Sequence, residues 1–105
     1  MIKKYDKLVR DKIPQIIETQ GNHCRTRILE PEEYLARVDA KLDEELAEYH
    51  AGPCLEELAD LLEVIYAAAE ARGYSRQALE QARAEKEETR GGFRDRILLL
   101  EVETS

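Results

Sequence analysis

The chain has 105 residues, of which 37% are charged and 43% hydrophobic, and its formal net charge at pH 7 is −7. This composition is typical of one globular domain over residues 1–105 and excludes a disordered chain. The negative charge excludes general binding to nucleic-acid polymers or anionic membranes, because both need a basic surface.

The first segment, MIKKYDKLVRDKIP, is basic but lacks the apolar region of a signal peptide. No later stretch reaches the roughly 18 apolar residues of a membrane span, so we expect a cytoplasmic protein. Pro14 suits a first helical turn and Gly21 suits the position after a last turn, which predicts a helix from about Asp11 to Gln20. The two cysteines, Cys24 and Cys54, have no CxxC spacing and are expected to be buried free thiols.

Three longer helices are predicted after this first one. The first begins at Pro31 and stops at Gly52, and the second runs from CLEELADLLEV to Gly73. Ser75 is the predicted N-cap of the third, RQALEQARAEKEETR. Two long helices joined by a tight turn predict an all-α fold, a helical hairpin that the third helix extends towards a bundle. Near the C terminus, the stretch ILLLEV has the composition of a β-strand and is predicted to pair with the earlier stretch RTRIL.

Four acidic residues lie where the helical period places them beside apolar side chains. Glu45 and Glu48 form one i, i+3 pair, and Glu57 and Asp60 form another on the next helix. With Leu58 at zero on a helical wheel, Glu57 lies at about 100°, at the margin of an apolar arc. The arc consists of Leu55, Leu58, Leu61, Leu62, Ile65 and Ala69, and Val64 extends it to about 120° on the side of Glu57. In a hairpin the two margins can face each other, which would place four carboxylates around one space.

Such crowding has a physical cost, because ionised carboxylates in a partly dry site repel one another and lose hydration. A divalent cation removes both penalties, and all-oxygen ligation favours Mg²⁺ or Mn²⁺ over Zn²⁺. Two alternatives stay open at this point. The acids can simply solvate a helix surface, and a ferritin-like di-iron site would need Glu-x-x-His pairs, whereas Ala47 stands three residues before His50.

The acidic motifs also resemble those of a known family. EELAE followed by EELAD resembles the ExxE…ExxD signature of the all-α nucleoside triphosphate pyrophosphohydrolases, the MazG-like and phosphoribosyl-ATP pyrophosphohydrolase superfamily. YDKLVRDKIPQII and KEETRGGF are similar to the end motifs of its small single-domain branch of predicted house-cleaning enzymes. The resemblance spans about residues 5–98. It implies the all-α NTP pyrophosphatase fold, Mg²⁺-dependent cleavage between the α- and β-phosphates to a nucleoside monophosphate and pyrophosphate, and a homodimer or dimer of dimers.

The resemblance also implies roles for individual residues. Glu45, Glu48, Glu57 and Asp60 become the metal ligands, and we expect Glu45 or Glu48 to activate the attacking water. Basic residues of the two end motifs would neutralise the pyrophosphate, although ordinary surface charge is the alternative for each. These substrate-binding candidates are Lys7, Arg10, Lys12, Lys86 and Arg90, with Arg94 as a further one.

Two rival functions stay open. One is phosphoribosyl-ATP pyrophosphohydrolase in histidine biosynthesis, and the other is a non-catalytic nucleotide-binding helical module. Only eight residues separate Glu48 from Glu57, so we expect a tight turn and a reduced substrate-facing loop. The sequence therefore predicts a nucleoside triphosphate as substrate without identifying its base.

Overall fold

The computed structural model describes residues 1–104, and that range contains four α-helices and no strand. The helices are α1 (Ile13–Thr19), α2 (Pro31–Ala51), α3 (Leu55–Ala71) and α4 (Arg76–Arg90). The predicted all-α class is confirmed. Over the same range, no helix is both long enough and apolar enough to cross a membrane.

The helix ends follow the local sequence closely. Ser75 caps α4 as predicted, because its Oγ accepts a hydrogen bond from the N–H of Ala78 at 3.0 Å. Gly73 after α3 and Gly91 after α4 have φ values of 91° and 84°, a left-handed conformation that glycine adopts without strain. Two helices differ slightly in extent. α1 begins two residues later and ends one residue earlier than the predicted Asp11–Gln20, and α3 covers Leu55–Ala71 instead of running from Cys54 to Gly73.

The α2–α3 hairpin is the centre of the structure. Its two helices pack along each other through a connection of only three residues, 52–54. Val38 of α2 is fully buried in this contact, and an ion pair of 3.2 Å between Arg72 and Asp39 joins the opposite end of the hairpin. On α3, the partly buried side chains include Leu61 and Val64. The tight turn predicted between the acidic motifs is therefore present.

The packed side of α3 is not the centre of the predicted apolar arc. Glu57 and Leu61 are partly buried, whereas Leu58, Leu62 and Ile65 remain 47%, 47% and 36% exposed. One margin of the arc therefore packs on α2, and the centre of the arc faces outwards. The physical reason is that a two-helix contact covers only part of a wide apolar stripe, and a further surface is needed for the rest.

The third long helix does not complete a bundle. α4 packs on α3 alone, and at its start the guanidinium of Arg76 lies 3.9 Å from the centre of the Tyr66 ring. Residues 80–90 are all exposed, as are residues 91–104. The predicted pairing of ILLLEV with RTRIL is wrong for the single chain, because residues 1–104 form no strand and both segments are mostly exposed. The ILLLEV side chains are left exposed by the rest of residues 1–104.

Both cysteines are free, as expected, but the prediction that they are buried is wrong. Cys54 is exposed in the short connection between α2 and α3, and Cys24 is only partly buried. The reason for the error is positional. Cys54 directly precedes α3 in an extended conformation, where no neighbouring helix covers its side chain.

Candidate metal centre

The acidic centre lies at the end of the hairpin where α2 and α3 are connected. Glu45 and Glu48 belong to the last two turns of α2, and Glu57 and Asp60 belong to the first two turns of α3. The short connection brings these turns side by side because it reverses the chain within three residues. The placement follows directly from the order of the motifs along the sequence.

Two overlapping groups of carboxylates form the centre. Glu45, Glu57 and Asp60 each contribute one oxygen, and these three atoms lie within 4.8 Å of one another. Glu44, Glu45 and Glu48 form a second group by the same measure. Two oxygens on opposite sides of a Mg²⁺ ion are about 4 Å apart, so this spacing is compatible with one shared cation. A cluster of acidic residues that could hold a metal ion is therefore present, and it includes all four predicted ligands.

Glu45 is the shared member of the two groups and the most buried charged residue. Its exposed fraction is 6%, and its Oε2 atom is buried without a hydrogen-bond partner among residues 1–104. Burial, and then the negative charges of Glu48 and Asp60, raise the pKa of Glu45, although Lys41 acts in the opposite direction. An unpartnered carboxylate oxygen at such a position needs either a proton or a cation.

Glu57 repeats this pattern from the α3 side. Its Oε2 is also buried and unpartnered within residues 1–104. Loss of hydration is the main cause that raises the pKa of Glu57, followed by the charges of Glu48, Asp60 and Glu56. Two carboxylates from different helices therefore direct unsatisfied oxygens into the same region.

Two lysines border the centre and neutralise part of its charge. Lys41 Nζ lies 3.5 Å from Glu45 Oε1 and 3.3 Å from Glu44 Oε1. Lys7 Nζ donates to the same Glu44 oxygen at 3.3 Å. Partial burial acts to raise the pKa of Glu44, but Lys41 and then Lys7 outweigh it and lower that pKa. The outer edge of the centre is therefore compensated, whereas the oxygens facing its interior are not.

The predicted N-terminal motif reaches the centre through Arg10. Its Nη2 donates a hydrogen bond of 2.7 Å to Oδ1 of Asp60, across 50 residues of sequence. The segment is held in place by Arg37 of α2, which donates to the backbone oxygen of Asp6 at 2.9 Å. Lys7 and Arg10, two of the predicted substrate-binding residues, thus lie beside the acids. This contact could not be inferred from the helical pattern.

The other basic candidates lie elsewhere in the single chain. Lys12, Lys86 and Arg90 form no side-chain hydrogen bond or salt bridge within residues 1–104, and all three are exposed. The ion pair of α4 is formed by another residue, since Arg83 binds Glu80 at 2.7 Å. The substrate-binding roles of Lys12, Lys86 and Arg90 stay predictions.

Sequence reasoning missed two residues of the centre, Lys41 and Glu44. A helical wheel contains the signal for Lys41, because it lies between Glu45 and Glu48 in projection and one turn before Glu45. Glu44 directly precedes Glu45, but it is not a member of the i, i+3 pair formed by Glu45 and Glu48. Its role depends on Lys7, which arrives from the N-terminal segment, and no local pattern indicates that contact.

Comparison with known proteins leaves the family unassigned. The chain is 52% identical over 44 residues to an uncharacterized protein of Mycolicibacterium smegmatis, a match that covers 42% of this chain and 45% of the relative. The match thus spans less than half of the curated relative's length. No protein-family model matches the chain, and no solved structure matches it significantly.

Proposed function

We propose that the protein is a Mg²⁺-dependent nucleoside triphosphate pyrophosphohydrolase, with Mn²⁺ as the alternative cofactor. It would cleave between the α- and β-phosphates and release a nucleoside monophosphate and pyrophosphate, as a cytoplasmic house-cleaning enzyme. The observation that carries the proposal is the buried Glu45, which has an unpartnered Oε2 and forms a group of closely spaced carboxylates with Glu57 and Asp60.

The donor set supports a hard divalent cation. Taking a carboxylate out of water costs several kcal/mol unless a charge or hydrogen bonds compensate for it. Glu45, Glu57 and Asp60 offer only carboxylate oxygens, which suit Mg²⁺ and Mn²⁺, and neither histidine belongs to the cluster. When bound there, the cation would supply charge neutralisation for phosphate oxygens and a water of lowered pKa.

The chain's own residues have distinct tasks in this proposal. Glu48 is exposed and its carboxylate forms no ion pair within residues 1–104, so it is our choice over Glu45 as the base that takes the proton of the attacking water. The oxygen of that water bonds to the α-phosphorus, the bond to the bridging oxygen breaks, and pyrophosphate leaves with that oxygen. Lys7 and Arg10 would neutralise its charge, since both already lie at the edge of the centre.

The test is pyrophosphate release from a panel of nucleoside triphosphates with Mg²⁺. We expect release by the unaltered protein and its loss in Glu57→Gln and Asp60→Asn. Glu63→Gln and Asp43→Asn are the matched controls, because they change the same groups at exposed positions of the α2–α3 hairpin. Release that persists unchanged in the first pair would contradict the assignment of these ligands.

A second measurement separates the metal site from the reaction. Millimolar Mg²⁺ should raise the thermal midpoint of the unaltered protein, because a ligand that binds only the folded state stabilises it. The shift should vanish in Glu57→Gln and persist in Glu63→Gln. A shift with nucleotide binding but no turnover would favour the non-catalytic module, and rescue of a histidine auxotroph would favour the phosphoribosyl-ATP enzyme.

A further inference from the structure

The single chain exposes far more surface than a compact protein of its size. Its accessible surface is 9954 Å² for a mass of 12.1 kDa. A folded monomer of that mass exposes about 6,000 Å², which leaves an excess of roughly 4,000 Å². Partners in standard interfaces bury about 800 Å² each, and those in obligate homodimers bury more. The excess is therefore large enough for an extensive interface on each copy.

Much of the exposed apolar surface lies in two regions. The first is an apolar stripe along α3, whose members recur at three- and four-residue steps and are Leu55, Leu58, Leu62 and Ile65. The second is the C-terminal segment, residues 97–102, in which five of the six side chains are apolar. These are Ile97, Leu98, Leu99, Leu100 and Val102, each between 70% and 83% exposed. A run of this composition is atypical of chains that remain disordered in water.

The two regions match each other in length. The stripe from Leu55 to Ile65 rises about 15 Å along the axis of α3. Six residues in an extended conformation span about 20 Å. The C-terminal segment is therefore long enough to lie along the whole stripe and to cover its leucines.

In the single chain, the C-terminal segment does not cover its own stripe. α4 is in contact with α3 near Arg76, but residues 80–90 are exposed along their whole length. The longest dimension of the molecule is 66 Å, whereas the 21 residues of α2 account for only about 32 Å. The apolar side chains of the segment and of the stripe all remain exposed in the single chain, so the stripe of a second molecule is available to the segment.

We propose that a second copy of this chain covers the apolar stripe, with each copy laying its C-terminal segment along the α3 helix of the other. Such a reciprocal exchange is closed by a two-fold axis, so it yields a dimer rather than a filament. Both surfaces belong to every copy, which makes the interface complementary to itself. The inference concerns assembly and does not depend on the hydrolysis proposed above.

The first test is sedimentation of the full chain and its variants. We expect the unaltered chain at twice 12.1 kDa. Leu98→Glu combined with Leu100→Glu in the segment, or Leu58→Glu in the stripe, should raise the dimer dissociation constant about 100-fold or more. Ala84→Glu adds the same charge to exposed α4 and should leave assembly unchanged. Far-UV circular dichroism checks that the helices persist. A monomeric unaltered chain, or a dimer unaffected by the segment variant, would overturn the proposal.

A disulfide test identifies whose segment covers the stripe. With Cys24→Ser and Cys54→Ser as background, copies carrying Leu62→Cys are mixed with copies carrying Leu99→Cys. We expect an oxidised product of two chains in the mixture and little in either variant alone. A disulfide formed only within one chain that carries both substitutions would show the segment folded on its own α3 and would overturn the exchange. Absence of a disulfide in both samples, or sedimentation of the chain with lipid vesicles as a monomer, would overturn it as well.

Discussion

The α2–α3 hairpin and the region from α4 onwards show opposite mismatches between side chain and surroundings. The hairpin buries a carboxylate, Glu45, on the same helix as the only fully buried apolar side chain of the described residues, Val38. The later region leaves Ile97 and Leu98 more than 80% exposed. Burying a charge and exposing apolar groups both cost free energy. Each mismatch therefore indicates a different partner. We propose a cation for the buried carboxylate and a second copy of the chain for the exposed apolar segment.

The largest expected effect is on kcat/KM, and it distinguishes a basic residue beside the acidic centre from a basic residue of α4. Arg10→Ala should lower kcat/KM for nucleoside triphosphate about 100-fold, because a charged donor to the leaving group is lost. Arg83→Ala on α4 should leave kcat/KM close to that of the unaltered chain, since Arg83 pairs with Glu80 and Glu87 of its own helix. Steady-state pyrophosphate release measures both. Equal losses would mean that assembly brings α4 of one copy to the acids of the other.

A smaller effect compares the packing of the two regions. Val38→Ala removes two buried carbons and should lower the free energy of unfolding by about 2 kcal/mol. Leu79→Ala on α4 removes three carbons but should cost about 1 kcal/mol or less, because Leu79 is only partly buried. Urea unfolding monitored by circular dichroism gives both values. If the α4 variant proved the more harmful, α4 would have to be part of a well-packed core.

The smallest expected effect is a pH dependence confined to the hairpin. The pKa of Glu45 is raised in the folded state, so the folded state binds more protons than the unfolded state between the two pKa values. In metal-free buffer, stability contributed by this group should therefore rise as the pH falls from 7 towards the ordinary range of a carboxyl group. Glu45→Gln should remove that gain, and Glu63→Gln on the exposed side of α3 should retain it.

Thermal midpoints of the three proteins between pH 7 and pH 5 would measure the difference. The comparison with Glu63→Gln is needed because Glu33, Glu44 and Glu80 have lowered pKa values and act in the opposite direction. A Glu45→Gln variant with the same pH profile as the unaltered protein would contradict a costly ionised Glu45.

Local features of the fold were predictable because their causes are local. Ser75 caps α4 through a contact three residues away, and Gly73 and Gly91 follow helices whose ends need positive φ. The convergence of Glu45 with Glu57 was also predictable, since a short connection forces adjacent turns together. The contacts of Arg10 and Lys7 were not, because they join residues 50 and 37 positions apart.

By itself, the sequence determined the all-α class, the helix ends and the presence of two acidic pairs on neighbouring helices. Only the tertiary structure decided which side of α3 packs on α2. The side that packs is the acidic margin of the apolar arc, and the centre of the arc stays exposed. Helical periodicity specifies which residues share a face, but it does not specify which partner covers that face first. That packing isolates Oε2 of Glu45 and Oε2 of Glu57 from water and leaves Leu58 and Leu62 exposed.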